Sequence, residues 1–255
     1  MTGKGIEKAF QDTTKMIFGK ALSGLDNYEE WLTTRVTKGR LRGSSTSKKN
    51  VYVPTYGMFR FIPDDRVADL GSFMQLSALN IPIEEADTLA SISKKMPTLA
   101  TFIIEFEEGT NLDVESSSIY KNLVNAYKIV DCFYSKHIAY SFFSDHCEHA
   151  FGISKCFNCN FSIDVHDSRD IIRSFEVDFS KNCADVMFCH NCDNVRESMF
   201  CFNEKNLRYA IANTVVGREE YTKVKAILVD YMLEQLERTH KLDLDIYNVG
   251  CWKKL

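Results

Sequence analysis

Residues 153–212 fall into five blocks of twelve that share one pattern: ISKCFNCNFSID, VHDSRDIIRSFE, VDFSKNCADVMF, CHNCDNVRESMF and CFNEKNLRYAIA. The three preceding blocks begin at Ser117 and continue the pattern more loosely as SSIYKNLVNAYK, IVDCFYSKHIAY and SFFSDHCEHAFG. A repeat of fixed length is the signature of a protein built from stacked structural units. The sequence from 117 to 212 therefore predicts a repeat architecture.

The first, fourth, seventh and tenth positions of each block carry small or apolar residues. Of the 22 charged residues between 117 and 212, only Glu204 occupies one of these positions. A helix repeats its apolar positions about every 3.6 residues and a strand about every 2, so a spacing of three within twelve fits neither. The pattern predicts a β-solenoid of about eight coils, in which these four positions point to a narrow axis.

The sixth position of the block supports the same interpretation. Asn and Asp adopt a left-handed backbone more readily than other non-glycine residues, and their side chains stabilise turns. A column of such residues predicts a corner that recurs in every coil. The column contains Asn122, Asn158, Asp170, Asn182, Asn194 and Asn206.

The chain on either side of the repeat shows mixed patterns. Residues 1–116 predict an α+β N-terminal region, followed by the solenoid over 117–216 and a helix with a tail over 217–255. Within the first region, apolar spacing and breaker residues predict helices over 4–22, 64–79 and 84–96 and strands over 51–62 and 98–108. Residues 218–240 predict one long helix, which we expect to cap the open end of the solenoid or to cover its side.

Residues 35–49 form the most basic segment of the chain. They contain six basic residues and no acidic residue, whereas the whole chain has a net charge of −4. The composition predicts an exposed loop that is either simply solvated or in contact with nucleic acid or another acidic partner. The basic residues are Arg35, Lys38, Arg40, Arg42, Lys48 and Lys49.

Cysteine content and hydropathy indicate the cellular compartment. Nine cysteines in a chain without an evident export signal favour reduced thiols. The sequence contains no run of 18 apolar residues, so we expect no membrane span. These features predict a cytoplasmic protein, or one within a particle that is assembled in the cytoplasm.

Two Cys-x-x-Cys pairs suggest a zinc site formed by Cys156, Cys159, Cys189 and Cys192. The repeat explains the same spacing, because inward positions lie three residues apart. The two pairs belong to coils three turns apart, or about 14 Å, whereas the sulfur ligands of one zinc ion lie within about 4 Å of each other. We therefore predict no metal and no other cofactor.

The eleventh position is apolar in all eight blocks. A column of this kind predicts either a face covered by the N-terminal region or the C-terminal helix, or an exposed stripe used for assembly. In the second case the interface would contain Phe151, Phe175, Met187 and Met199.

The end of the repeat and the start of the next predicted helix contain a distinctive run of residues: Cys201, Phe202, Asn206, Leu207, Arg208, Tyr209, Ile211, Asn213, Glu219, Glu220 and Tyr221. This run resembles a group of uncharacterised Cys-rich quasi-repeat proteins of small-genome bacteria, archaea and large phages. The resemblance implies a repeat fold but no particular activity. The twelve-residue coil is also similar to that of insect antifreeze solenoids, but those proteins use threonine faces and no threonine occurs from 117 to 212.

These patterns predict a non-enzymatic structural or assembly protein, a solenoid subunit of a larger particle such as a virion. Its partners would be copies of itself or other structural subunits. One alternative is a zinc-stabilised nucleic-acid-binding protein that uses residues 35–49. A second alternative is a solenoid enzyme of the acyltransferase kind, although the chain lacks the glycine-containing six-residue repeat of that class.

Overall fold

A computed structural model describes residues 3–144 and 147–251, with only the backbone described at Cys156. It contains an N-terminal region of helices and short strands, a β-solenoid and a long C-terminal helix, which confirms the predicted fold class. The helices are α1 (Lys4–Phe18), α2 (Glu29–Leu32), α3 (Phe73–Ser77), α4 (Leu89–Lys95) and α5 (Arg218–Thr239). No helix of the described residues is long and apolar enough to cross a membrane.

The strands before the solenoid are short and form two small sheets. β1 and β2 pair as an antiparallel hairpin, and β3 and β4 pair in parallel. These strands are β1 (Gly39–Gly43), β2 (Asn50–Pro54), β3 (Val67–Ala68) and β4 (Phe102–Ile103).

The solenoid strands pair in parallel with partners twelve residues apart along almost the whole repeat. Val165 pairs with Val177, and Val177 pairs with Cys189, so each coil contributes one rung. The solenoid starts at Glu107, earlier than the predicted residue 117. Its strands are β5 (Glu107–Glu108), β6 (Leu112–Glu115), β7 (Ser118–Lys121), β8 (Val124–Tyr127), β9 (Val130–Phe133), β10 (Lys136–Ala139), β11 (Phe142–Ser144), β12 (Ala150–Phe151), β13 (Ser154–Cys156), β14 (Ser162–His166), β15 (Ser174–Asp178), β16 (Ala184–His190), β17 (Arg196–Met199), β18 (Ala210–Ile211) and β19 (Thr214–Val215).

Left-handed residues recur at every third position through most of the solenoid, so the backbone turns four times in each coil. The sixth position adopts this conformation at Asp170, Asn182 and Asn194, as the sequence predicts, but not at Asn158. The third, ninth and twelfth positions adopt it too, even where the residue is Phe188 or Tyr209. Each coil is therefore a four-sided turn with short sides, rather than a turn with one special corner.

The axis of the solenoid is filled by the predicted inward positions. Ile129, Cys147, Ile171 and Cys183 are among the residues of this core, and each is at most 2% exposed. Most inward serines are satisfied by the backbone: the Ser198 hydroxyl donates to the Arg196 carbonyl and accepts from the Ala210 amide. Such bonds explain how serines occupy a dry axis, although the Ser144 and Ser162 hydroxyls have no hydrogen-bond partner among the described residues.

A second core forms on the outer side of the solenoid that carries the eleventh-position side chains, where helices cover it. From α1, Phe10 packs edge-on against Phe151 at 5.2 Å between ring centroids, and Phe18 packs against Phe175 at 5.1 Å. From α5, Met232 and Leu236 are fully buried in the same cluster. Of the two places expected for the C-terminal helix, it occupies the side of the solenoid rather than its end.

The predictions for residues 64–108 are only partly correct. The predicted helix over 64–79 is replaced by two 3₁₀ turns, β3 and the short α3. The second predicted helix shrinks to α4, which Thr88 begins with a capping box that includes Ser91. The strong apolar strand expected over 98–108 is limited to β4 and β5.

Candidate functional site

The eleventh-position column is part of the hydrophobic core, which corrects the assembly-stripe hypothesis. Phe151, Phe175 and Met199 are 0% exposed and Met187 is 3% exposed. Because α1 and α5 from the same chain cover these side chains, none of them is accessible to a partner in the folded protein. The other expectation, a face covered by the N-terminal region and the C-terminal helix, is the one that the structure confirms.

The basic segment 35–49 is only partly the predicted loop, because residues 39–43 form β1 and residues 44–49 form the turn that leads to β2. Arg40 and Arg42 both form ion pairs with Asp64, at 2.9 and 2.7 Å. Lys49 lies 3.9 Å from a carboxylate oxygen of Asp69. Most of the predicted nucleic-acid contacts are therefore already paired within the chain, and Lys38 and Lys48 are the remaining predicted contacts.

Arg35 belongs to a buried ionic cluster rather than to an exposed loop. Its Nη2 lies 2.5 Å from the Glu176 carboxylate, and its Nη1 lies 3.4 Å from that of Asp245. Its Nε donates to Nε2 of His166 at 3.1 Å. Glu176 is fully buried, and its second oxygen accepts from the Ile246 amide at 3.1 Å. The cluster joins the N-terminal segment, the solenoid and the C-terminal tail at one point.

Burial shifts the protonation of this cluster. It lowers the pKa of His166 to about 3, with Arg35 acting in the same direction, so the imidazole is neutral. Burial raises the pKa of Glu176 to about 7, against the attraction of Arg35. Burial and the neighbouring Glu176 raise the pKa of Asp164 well above its usual value. Because Asp164 is 2% exposed and its Oδ2 has no hydrogen-bond partner, we assign it as the protonated carboxyl of the cluster.

Replacing Asp164 with asparagine should stabilise the protein increasingly as the pH rises. In the wild type, the Asp164 carboxyl keeps its proton in the folded state, whereas the unfolded state releases it above a pKa of about 4. The free energy of unfolding therefore falls by up to about 1.4 kcal/mol for each pH unit above that pKa. Asparagine removes this cost and tolerates the left-handed backbone at this position. Denaturant unfolding at several pH values should show little difference between the two proteins near pH 4 and a widening difference up to the folded-state pKa.

Asp167→Asn is the matched control, since Asp167 also has a positive φ but its side chain is 43% exposed. This control should change stability little at any pH. A pH-independent difference between Asp164→Asn and the wild type would contradict a protonated Asp164.

The four cysteines predicted as alternative zinc ligands do not form one site. Cys189 and Cys192 lie in a coil three turns from that of Cys159, a separation of about 14 Å. Cys159 is disulfide-bonded, which corrects the expectation that every thiol is reduced. The side chain of Cys156 lies outside the described residues. Within the part of the chain that the structure describes, no group of three or more His, Cys, Asp or Glu side chains could hold a metal ion.

The structure instead brings Cys189 close to Cys192 and Cys201, a residue that the zinc hypothesis omits. All three are free thiols in the axis. Burial, followed by the hydrogen bonds with these two thiols, raises the pKa of Cys189 well above its usual value. The hydrogen bond with Cys189 lowers the pKa of Cys201 to about 7. The contact follows from the coil register, in which Cys189 and Cys201 occupy the same position of adjacent turns.

The two ends of the solenoid carry opposite charge. Residues 105–116, which include the first coil, contain five acidic residues and no basic residue. Residues 201–215, the last coil and the strand that folds back on it, contain two basic residues and one acidic residue. Phe106 and Leu112 at the acidic end are 54% and 56% exposed, so this end is uncovered. The charged residues themselves can be read from the sequence. Only the coil boundaries in the structure show that they lie at opposite ends of the solenoid.

Exposed apolar side chains are concentrated in the segment of the chain that precedes and enters the first coil. Of 21 large apolar residues that are exposed in the described chain, eleven lie between 58 and 112. Monomeric proteins rarely expose many such residues within one segment, unless the surface binds a partner. The eleven are Met58, Phe61, Phe73, Met74, Leu79, Ile83, Leu89, Met96, Phe102, Phe106 and Leu112.

The fold and these surfaces define a β-solenoid protein with one helix-covered side and two chemically different ends. Comparison with known protein families and with curated proteins found no match to this chain. The function is therefore inferred from the surfaces alone.

Proposed function

We propose that this protein is a non-enzymatic structural subunit that assembles with further copies of itself, end to end along the solenoid axis. The observation that carries the proposal is the complementary charge of the two solenoid ends. An acidic end and a basic end on the same molecule favour a head-to-tail contact, because two like ends would repel each other. Such a contact is heterologous and generates rings or open filaments.

The coil register extends this argument to individual residues. Glu108 lies beside Lys121 at one end of the fifth-position column, and their side chains are 2.5 Å apart. At the other end of the column, Lys181 pairs with Asp193 at 3.4 Å, and Lys205 follows as the last member. If a second solenoid continued the first, its Glu108 would meet Lys205. The contact would repeat the ion pair that Glu108 already makes with Lys121.

The open strand edges limit where this contact forms. β19 folds back in antiparallel pairing on β18 and covers one side of the last coil. The Asn213 side chain covers another, since it accepts from the Phe202 amide and donates to the Phe202 carbonyl. The edge that includes Lys205 is left for a partner, whereas Arg208 already forms an ion pair with Glu197 at 2.6 Å. Phe106 and Leu112, which are exposed at the acidic end, would add nonpolar area of the kind that a stable interface requires.

Mass measurement by light scattering over a range of protein and salt concentrations tests the proposal. We expect particles larger than one chain at low salt and a shift towards monomer at high salt, which screens exposed charges. Glu108→Lys and Lys205→Glu should each reduce assembly, and the double variant should recover it because the two charges are exchanged. Glu234→Lys, on the exposed side of α5, is the control and should assemble normally.

Two results would count against different parts of the proposal. A monomer under every condition would contradict self-assembly itself. Assembly that neither charge reversal changes would retain the structural role but exclude the contact between Glu108 and Lys205.

A further inference from the structure

A shallow groove runs along the solenoid between the third-position and fifth-position columns and encloses about 460 Å³. Inward residues of the fourth position, including Ser168 and Ser180, form its floor. It crosses five coils, so its side chains recur about every 4.8 Å along the axis. The side chains of its two walls come from Phe157, Asp167, Arg169, Phe179, Lys181, Asn191, Asp193, Asn203 and Lys205.

Phe179 is the more exposed of the two aromatic residues of this groove. It has a left-handed backbone, with φ of 52°, and its side chain is 64% exposed. Phe188 has almost the same φ, 51°, but is fully buried and packs against Phe175 at 5.4 Å. Burial against a core compensates for the strained backbone at Phe188. Phe179 has the same backbone because the coil geometry requires it, and its exposed ring is available for a ligand to stack on.

Amide and charged side chains next to Phe179 provide both hydrogen-bond donors and acceptors. Asn191 donates one amide hydrogen to Asn203 at 2.8 Å. Each side-chain amide has two N–H donors and an oxygen with two lone pairs, so this bond uses only part of their capacity. Lys181 is paired with Asp193. The groove has three basic and two acidic wall residues, which leaves a net charge of only +1.

We propose that this groove binds a linear, uncharged polysaccharide, a role beyond the proposed assembly function. A sugar ring presents an apolar C–H face that can stack on an aromatic side chain, and its hydroxyl groups need both donors and acceptors. Side chains that repeat with every coil suit a ligand that also repeats. Nucleic acids and other polyanions are a poorer match, because their affinity depends on many unpaired basic residues.

Affinity gel electrophoresis tests this proposal with the native chain and soluble polymers cast in the gel. The neutral probes are hydroxyethyl cellulose, glucomannan and soluble starch, and the charged probes are heparin and single-stranded oligothymidylate. We expect at least one neutral polymer to retard the protein. Phe179→Ala should weaken this retardation at least about tenfold, which is consistent with the loss of one stacked aromatic ring. Asn191→Gly, which retains access to the left-handed backbone, should weaken it as well.

The matched control is Phe61→Ala, since Phe61 is 72% exposed but lies outside the groove. It should bind the polymer as well as the wild type does. Thermal unfolding of each variant should show that Phe179→Ala is folded, because an exposed ring contributes little to stability. Failure of all three neutral polymers to retard the wild type, equal retardation of Phe179→Ala, or preferential retardation by heparin or oligothymidylate would overturn the proposal.

Discussion

Replacing Ser198 or Ser174 with phenylalanine should lower the free energy of unfolding by more than about 3 kcal/mol, at the upper end of the cost of overpacking a core. Both serines are 0% exposed and occupy the tenth, inward position of their coils. The coil above and the coil below are held by parallel strand pairing at this position, as between Ser162 and Ser174. The axis therefore cannot widen at one coil without breaking the pairing on both sides. Chemical denaturation monitored by circular dichroism measures the loss.

The matched control for this prediction is Ile172→Phe, because Ile172 is an outward residue two positions before Ser174 and is 41% exposed. A larger side chain there extends into solvent and should change stability by less than about 0.5 kcal/mol. Similar stability of the Ser174 and Ile172 variants would show that the axis accepts bulk and that packing does not limit the choice of inward residues.

Deleting residues 217–255 should leave the protein insoluble. α5 covers the eleventh-position face together with α1, and its removal would expose Phe188, Met199 and their neighbours in the second core. Burying about 400 Å² of apolar surface contributes roughly 10 kcal/mol before the cost of ordering the helix. This is as large as the net stability of a typical domain. The measurement is the fraction of the truncated protein that remains in solution and unfolds cooperatively.

Two single substitutions in α5 distinguish the effect of removing a buried side chain from the effect of introducing alanine into the helix. Met232→Ala removes a side chain that is 0% exposed and should cost about 2–5 kcal/mol. Ile227→Ala changes a residue that is 63% exposed in the same helix and should have an effect below about 0.5 kcal/mol. A truncated protein that is soluble, monomeric and cooperatively folded would mean that α5 is dispensable and free to bind another molecule.

The periodic part of the fold was predictable because each coil repeats the same physical constraint. Glu204 is the only charged residue of the repeat at an inward position. This near absence of charge was enough to predict that Cys183, Val195 and Ala210 lie in the axis, as they do. The corners were only partly predictable. Asn182 indicates a left-handed backbone by its residue type, whereas Phe188 and Tyr209 adopt the same conformation because the coil geometry requires it.

Contacts between distant segments could not be predicted from local composition. Arg35 has basic neighbours in sequence, but its partner Glu176 lies 141 residues away. The column of eleventh positions showed that a cover was needed, and only the structure showed that α1 and α5 together provide it. The predicted helix over 64–79 failed for a related reason, since pairing of Val67 with Phe102 fixes a strand inside it.

The parallel register of the solenoid restricts how the length of this protein can change. A coil closes only after four corners, and its inward, corner and outward positions return to the same columns after twelve residues. Inserting or deleting twelve residues adds or removes one complete layer, whereas a change of one or two residues moves charged side chains such as Asp193 and Lys205 out of their column. Length variants of this segment should therefore be found in steps of twelve residues. The rise of one coil, about 4.8 Å, then becomes the smallest increment by which the molecule can be lengthened.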